Sequence, residues 1–324
     1  MTTQNEQEIT AKIKDTMINT GFKSKEAKHF MPNEIFEDLQ ANISKSPHVA
    51  FAYSYYYLTS WLYRNAKYGE KLPININTKT IKQLLGYTPT NKTLNYIIKK
   101  EGTLDTMGYT KNDWDYPVHW SIEDKQVRFT TISDVDDQQW NIIHGSRRTD
   151  YEAKYPVKHF YRDPEDMEID ELTGVFNDVS DTHMVPFEAF MQCMSIDELG
   201  TTGFYLFSYL KKQNQHFVDG YDASLDRLSR ETGIPRMSIN RYITSLKEYN
   251  LIKVVHNQEF FSLGIKAKDR LASTYITSKP TEFTRKVVEY EKLKVKKKAE
   301  YLAELESNRT LPEEVKISLE ELPF

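Results

Sequence analysis

The same order of features occurs twice along this chain of 324 residues. Each of two windows opens with Pro-x-Glu-x-Phe, at 32–36 and at 186–190, so that proline, glutamate and phenylalanine match at a constant offset. An aromatic-rich apolar stretch of helical character follows each opening, at 52–63 and at 203–210. The alignment of these two stretches pairs Leu58 with Leu206 and Leu62 with Leu210.

The second window continues with the pattern of two helices and a hairpin. Ser224 is placed as the N-cap of a short helix that ends at Gly233, because glycine adopts the left-handed conformation at little cost. A longer amphipathic helix is predicted over Arg236–Tyr249, with apolar residues at i, i+3, i+4 and i+7. Beyond it, the segments 251–255 and 260–263 flank a polar turn and predict a β-hairpin.

The first window follows the same order. A short helix is predicted over Thr78–Leu85, closed by Gly86. A longer helix is predicted over Asn91–Glu101, with apolar residues at i, i+3 and i+4. After a longer connecting segment at 109–117, the extended segments 118–122 and 127–132 predict a hairpin with a polar turn between them.

Helix, short helix, turn, second helix and β-hairpin is the order of a winged helix, and its repetition predicts two in tandem. The predicted fold is α+β and mainly helical, with two tandem winged-helix (helix-turn-helix) domains followed by a C-terminal helix over Thr281–Ser307. The predicted parts are an N-terminal helical or flexible arm at 1–28, the first winged-helix domain at 29–135, an acidic linker at 136–182, the second winged-helix domain at 183–265, and a C-terminal charged helix and tail at 266–324.

Charge is segregated along the chain, although the formal net charge is only −4. Residues 64–111 carry nine basic and three acidic side chains, and residues 211–257 carry eight basic and five acidic ones. Between these blocks, residues 161–200 carry eleven acids and one arginine, while 285–298 carry seven basic residues and two acids. Such segregation indicates a polyanionic partner, and an ordinary solvated surface is the alternative interpretation.

The second window resembles the helix-turn-helix of many bacterial DNA-binding domains. Its run 228–243 contains their leucine, their Thr-Gly-Ile turn and their Ser-hydrophobic-x-Arg on the second helix. The first window, with Pro-Asn-Glu-Ile-Phe at 32–36 and Thr-Ile-Lys-Gln-Leu-Leu-Gly at 80–86, resembles the N-terminal domain of plasmid replication initiators from Gram-positive bacteria. The resemblance implies tandem winged helices and a role at the origin of a plasmid or phage-like element.

A winged helix places one helix face in the major groove, where arginine pairs with guanine and asparagine with adenine. On the second long helix, the face opposite the apolar stripe and the helix start carry the candidate DNA-binding residues Arg236, Met237, Ser238, Asn240, Arg241 and Thr244. On the first long helix, the candidates are Asn91, Lys92, Asn95 and Lys99. Lys79 and Lys82, on the preceding short helix, are predicted to contact phosphates. An exposed polar face without a ligand is the alternative for both helices.

Other chemistries lack their sequence patterns. Neither G-x-x-x-x-G-K-[ST] nor G-x-G-x-x-G occurs, so no phosphate loop is predicted. The eight histidines have no metal-ligand spacing, and the acidic run 163–171 has no EF-hand spacing. A single cysteine, Cys193, allows neither an internal disulfide nor a multi-cysteine zinc site. We therefore predict no catalytic residue, no metal and no cofactor.

The predicted function is sequence-specific binding of double-stranded DNA, without enzymatic activity, to initiate replication of a plasmid or phage-like element. A transcriptional repressor or DNA-organising protein with the same domains is the alternative, and a relaxase-like or nuclease enzyme is the rival from another class. A homodimer is expected, with the acidic linker and the C-terminal tail as docking segments for a protein partner. The polar N-terminus and the lack of an apolar run of about 18 residues predict a cytoplasmic protein without membrane contact.

Overall fold

The computed structural model describes residues 28–65, 78–113, 117–131, 134–135 and 153–310. The predicted N-terminal arm up to residue 27 and the predicted tail from residue 311 lie outside the described residues. The structure is mixed α+β, and helices make up most of its regular elements. Within the described ranges, no helix combines the length and apolar character needed to cross a bilayer.

The first half of the chain, up to residue 181, surrounds one long helix that is buried on all its faces. Its residues from Val49 to Tyr63 are all buried, and apart from Ser54, Thr59 and Ser60 they are apolar or aromatic, as expected of a helix inside a core. The elements of the first half are β1 (Lys28–Pro32), α1 (Ile35–Asn42), α2 (Ser46–Arg64), α3 (Thr78–Leu84), α4 (Asn95–Ile98), α5 (Thr103–Thr106), β2 (Thr110–Asp113), β3 (Pro117–Glu123), β4 (Gln126–Thr131), β5 (Ala153–Pro156), α6 (Val157–Phe160) and α7 (Pro164–Glu168).

The second half, from residue 182 onward, has a similar plan with longer surface helices. Its elements are β6 (Thr182–Pro186), α8 (Phe187–Ser195), α9 (Gly200–His216), β7 (Tyr221–Ala223), α10 (Leu225–Thr232), α11 (Arg236–Glu248), β8 (Ile252–Val255), β9 (Phe260–Phe261), β10 (Ser273–Thr277), β11 (Lys294–Val295) and α12 (Lys298–Thr310).

The two halves meet at the strands that open them. β1 and β6 pair antiparallel, with Phe30 opposite Met184 at the centre of the pairing. These two residues are separated by the same offset as the two Pro-x-Glu-x-Phe motifs. Because repeat-equivalent residues face each other across an antiparallel pair, the two opening strands are related by a local two-fold axis.

A single hydrophobic core extends through both halves. α2 and α9 pack against each other, and the core contains side chains from Met31 to Tyr275. The starts of these helices, Ser46 and Gly200, have the offset of the opening motifs, so Ala52 rather than Leu58 is equivalent to Leu206. The predicted leucine pairing is therefore wrong, and the halves do not form two separate cores.

The helix-turn-helix of the second half agrees with its prediction. The Ser224 hydroxyl accepts a hydrogen bond from the Arg227 amide and caps α10, and Gly233 ends it with a φ of 68°. α11 buries Ile239, Ile243 and Leu246 on its predicted apolar face. These boundaries follow from local chemistry, namely a hydroxyl cap, a left-handed glycine and an amphipathic stripe.

The predicted hairpin of the second half is wrong. β8 pairs with β10 instead of 260–263, and β7, β10 and β8 form a sheet in that order. Tyr275 on β10 lies in the core, whereas Phe260 and Phe261 are only half-buried and pair in parallel with β11. The more buried strand therefore takes the place beside β8, and residues 256–272 form a longer loop.

In the first half the predicted hairpin is confirmed and the predicted long helix is not. β3 and β4 pair around Asp124 and Lys125, which both have positive φ as in a type I′ turn. The expected helix 91–101 is a single turn, α4. Glu101 is left-handed, and a Cβ on Gly102 would lie within 2.8 Å of the carbonyl oxygens of three preceding residues. The chain therefore turns back where a longer helix would continue.

Residues 153–181 of the predicted acidic linker are folded onto the first half. β5 pairs with β2, and Tyr161 and Leu172 form a second hydrophobic cluster with Tyr63 and Phe160. Two of its acids have local partners: the Asp166 side chain closes the capping box of α7, and Asp170 accepts a hydrogen bond from the Tyr161 hydroxyl at 2.7 Å. The remaining linker residues 136–152 lie outside the described ranges.

The predicted helix 281–307 is also shorter than expected, since residues 280–282 form a single 3₁₀ turn and the α-helix of this region, α12, begins at Lys298. The backbone amides of Thr284 and Val288 donate to the carbonyls of Tyr249 and Glu248, at the end of α11, instead of to carbonyls of their own segment. We name residues 278–297 the C-terminal strap. It crosses the end of α11 and reaches the loop between β8 and β10.

Candidate nucleic-acid interface

The solvent-facing side of α11 carries all six residues predicted for it. Arg236, Met237, Asn240 and Arg241 are exposed, and Ser238 and Thr244 are half-buried beside them. Met237 is 89% exposed. Together these groups offer guanine- and adenine-binding donors and an apolar contact suited to a thymine methyl group.

Each of the two arginines of α11 contacts a neighbouring side chain. Arg236 Nε lies 3.0 Å from Asp226 Oδ1, and both side chains are mostly exposed, so this ion pair is weak and exchangeable. Arg241 donates to the Tyr242 hydroxyl at 2.9 Å, and its guanidinium carbon lies 4.7 Å from the centroid of the Tyr242 ring. Stacking on the aromatic face leaves the other Arg241 donors directed to solvent.

The turn before α11 is held by a side chain of the first half. Gln40, on α1, donates through Nε2 to the Glu231 carbonyl oxygen at 2.8 Å, next to the turn. Gly233 lies against the same side chain, and a Cβ there would come within 3.0 Å of Gln40 Oε1. The position of α11 thus depends on a residue far away in the sequence.

Gly233→Ala is expected to destabilise the fold more than Gly86→Ala. Both glycines have a left-handed backbone, with φ of 68° at Gly233 and 81° at Gly86. The strained backbone of an alanine there therefore lowers the free energy of unfolding by about 1–2 kcal/mol. Only Gly233 also has a neighbour, since nothing lies within 4 Å of a Cβ at Gly86. Urea unfolding of the single variants and of Gly233→Ala with Gln40→Ala measures the coupling. Equal losses at both glycines and additivity in the double variant would contradict the contact.

Two of the six residues predicted in the first half, Lys82 and Asn95, are hydrogen-bonded to each other. Lys82 is 4% exposed, and its Nζ donates to the Asn91 carbonyl oxygen at 2.7 Å and to Asn95 Oδ1 at 2.6 Å. Burial lowers the pKa of Lys82. The predicted surface role of Lys82 and Asn95 is therefore corrected: both side chains fix the loop between α3 and α4. The alternation of polar and apolar residues on α3 does not reveal this burial.

The other predicted residues of the first half lie at the surface. Lys79, Lys92 and Lys99 are exposed. Asn91 is half-buried, and its Oδ1 accepts from the amide and the hydroxyl of Thr93. Both asparagines are thus bound internally, and the exposed groups among the six are lysines, which suit phosphate better than bases.

The sequence patterns did not identify three exposed basic residues in the loop after β8. Lys266, Lys268 and Arg270 are exposed in the long loop 256–272 between β8 and β10. The predicted hairpin ended at residue 263, so these side chains were assigned to the C-terminal region. The sequence feature that could have identified them is the basic residue at every second position from 266 to 270.

Three histidines that are scattered in sequence come together in the core. His29, His159 and His183 are fully buried, and the rings of His29 and His159 stack with centroids 5.3 Å apart. Their neighbours are hydroxyl groups of α2. In the described ranges, no group of three or more His, Cys, Asp or Glu side chains is arranged to hold a metal ion.

Comparison with known proteins returns no match, whether to protein-family models, to curated proteins or to solved structures. The motifs of the two windows and the geometry of the α11 surface therefore carry the functional argument by themselves.

Proposed function

We propose that α11 is the recognition helix of a winged helix that binds double-stranded DNA in a sequence-specific way. The order α9, β7, α10, α11, β8, β10, with the sheet order β7-β10-β8, supports this. In a winged helix one short strand precedes the helix-turn-helix, two follow it, and the loop between those two is the wing. In this proposal the wing is the loop 256–272.

The observation that carries the proposal is the exposed face of α11. Arg241, Asn240 and Met237 cover three kinds of base-edge contact on one helix face. The wing, which follows β8 in the chain, exposes the basic residues Lys266, Lys268 and Arg270. A face of this composition, flanked by cations, is typical of major-groove recognition.

The two halves have different roles in this proposal. The second half reads bases through α11, and the first half contributes phosphate contacts through Lys79, Lys92 and Lys99. The common core would hold both surfaces at a fixed spacing on one duplex. Sequence preference would then come from the second half, and the first half would add affinity for any sequence.

Arg241→Ala is expected to lose about 1–3 kcal/mol of binding free energy at one base position and to relax the preference there. Lys92→Ala is expected to weaken binding to all sequences alike and to reduce the salt slope by about 0.9. Titrations of both variants against the preferred duplex and its single-base variants measure this division. Equal, sequence-independent losses from the two variants would show that Arg241 does not read a base.

We propose initiation of replication as the biological role, because the first window resembles plasmid initiators. Initiation predicts local melting of a duplex that contains the binding site, measured by permanganate reactivity. Repression predicts occupancy that blocks transcription without melting, and would favour the alternative function. Nicking that depends on a divalent cation would instead support the enzyme class. A homodimer stays a prediction, tested by the mass of the protein in solution.

A further inference from the structure

The C-terminal strap is fixed to the wing at its end, residues 294–296. β11, in the strap, pairs with β9 in the wing, and the Lys296 amide donates to the Phe261 carbonyl at 2.9 Å. Lys296 Nζ lies 4.1 Å from the centroid of the Phe260 ring and 2.9 Å from a Glu304 oxygen. The end of the strap therefore adds one paired strand to the wing.

α12 secures the strap from the far side. The Tyr301 ring packs against Phe260, with centroids 5.8 Å apart. It also lies over Gly264, where a Cβ would come within 2.6 Å of Tyr301 Cδ1. Only glycine allows this approach, so the wing, the strap and α12 form one packed unit.

The outer surface of this unit is mainly basic. The strap and the start of α12 expose Lys292, Lys294, Lys297 and Lys298, and the wing exposes Lys266, Lys268 and Arg270. The exposed acids on the same segments are Glu259, Asp269, Glu289, Glu291 and Glu300. Lys294 lies on β11, both of whose residues are exposed. The cations therefore outnumber the acids on an ordered surface.

We propose that the strap and the wing together bind the sugar–phosphate backbone of the duplex beside the segment that α11 reads. This inference rests on the proposed function. In a winged helix the wing lies next to the recognition helix and meets the flanking groove. A wing thickened by a lysine-bearing strand extends the contact along the backbone, and lysine binds phosphate without reading sequence. The strap thus lengthens the footprint and leaves the base preference unchanged.

The test replaces Lys292, Lys294 and Lys297 by glutamine together, with the triple Lys→Arg variant as the matched control. The ligand is a duplex that the wild-type protein selects from a random pool, in a short form limited to the selected site and a long form with flanks. We expect the glutamine variant to show a log–log salt slope less steep by up to about 2.7 on the long duplex. Its binding to the short duplex and its base preference should equal those of the wild type, and the arginine variant should retain the full slope.

Three results would overturn parts of this account. An unchanged salt slope and affinity of the glutamine variant on the long duplex, while the wild type selects and binds its site, would refute the strap contact alone. An equal loss in the arginine and glutamine variants would assign the effect to altered packing and also refute it. Failure of the wild type to select any sequence would refute the proposed function itself. Unfolding curves of the three proteins, expected to coincide, exclude misfolding.

Discussion

Acidification from about pH 7.5 to about pH 5 is expected to lower the free energy of unfolding by about 4 kcal/mol through His159 and His183 alone. Burial, joined at His183 by the nearby charge of Lys212, lowers the pKa of each to about 3 in the folded protein. In the unfolded chain a histidine titrates near its usual value of about 6.5. The unfolded state therefore takes up protons first as the pH falls, and each histidine contributes a loss of about 2 kcal/mol at pH 5.

The contacts of these histidines explain why they stay neutral. His159 Nδ1 lies 2.7 Å from the Tyr56 hydroxyl, and its Nε2 lies 3.0 Å from the Phe30 carbonyl oxygen. His183 Nε2 lies 2.7 Å from the Tyr53 hydroxyl. Burial also lowers the pKa of His29, helped by His159 and Arg64. A second proton on any of these rings would lack solvent to stabilise its charge.

Urea unfolding at a series of pH values measures this loss. His183→Gln is expected to remove about half of it, and the exposed His119→Gln serves as the control that leaves it unchanged. Stability that stays constant from neutral pH down to about pH 5 would contradict the burial of the cluster in its neutral form.

Phe204→Ala, in the second half, is expected to destabilise the first half as well, by about 3–5 kcal/mol. The Phe204 ring lies between Tyr53, Tyr57 and Phe190, with centroid distances of 5.8, 4.9 and 5.2 Å. Because α2 and α9 share one core, removal of this ring leaves a cavity against both halves.

The distribution of tryptophan makes this prediction testable. All four tryptophans, Trp61, Trp114, Trp120 and Trp140, lie in the first half of the sequence, so their fluorescence follows that half. Hydrogen exchange of α11 amides follows the second half. Phe204→Ala should shift the fluorescence transition and speed up the exchange of α11 amides together. Val218→Ala, at an 84% exposed side chain, should change neither. A fluorescence transition unaffected by Phe204→Ala would show that the halves unfold independently.

Local signals predicted the parts of the fold that local interactions determine. Ser224, Gly233 and the stripe Ile239, Ile243 and Leu246 specify α10 and α11 within about 25 residues of chain, and the exposed face of α11 follows from that stripe. The turn at Asp124 and Lys125 likewise specifies the β3–β4 hairpin.

Features determined by distant partners could not be predicted in this way. Lys82 can be buried because Asn91 and Asn95 accept hydrogen bonds from its ammonium group. Gln40, in the first half, donates a hydrogen bond to the Glu231 carbonyl in the second half. The partner of β8 was decided by the burial of Tyr275, which sequence periodicity does not distinguish from that of Phe260. Two segments could pair with β8, and tertiary packing selects between them.

The most direct test of the central claim is selection of duplexes from a random pool by the wild-type protein and by Arg241→Ala, followed by titration at several salt concentrations. The wild type is expected to enrich one sequence and to bind it with an affinity that falls steeply with salt. Arg241→Ala is expected to enrich the same sequence with the preference lost at one position. No enriched sequence for the wild type, together with a flat salt response, would contradict the assignment of α11 as a DNA-reading helix.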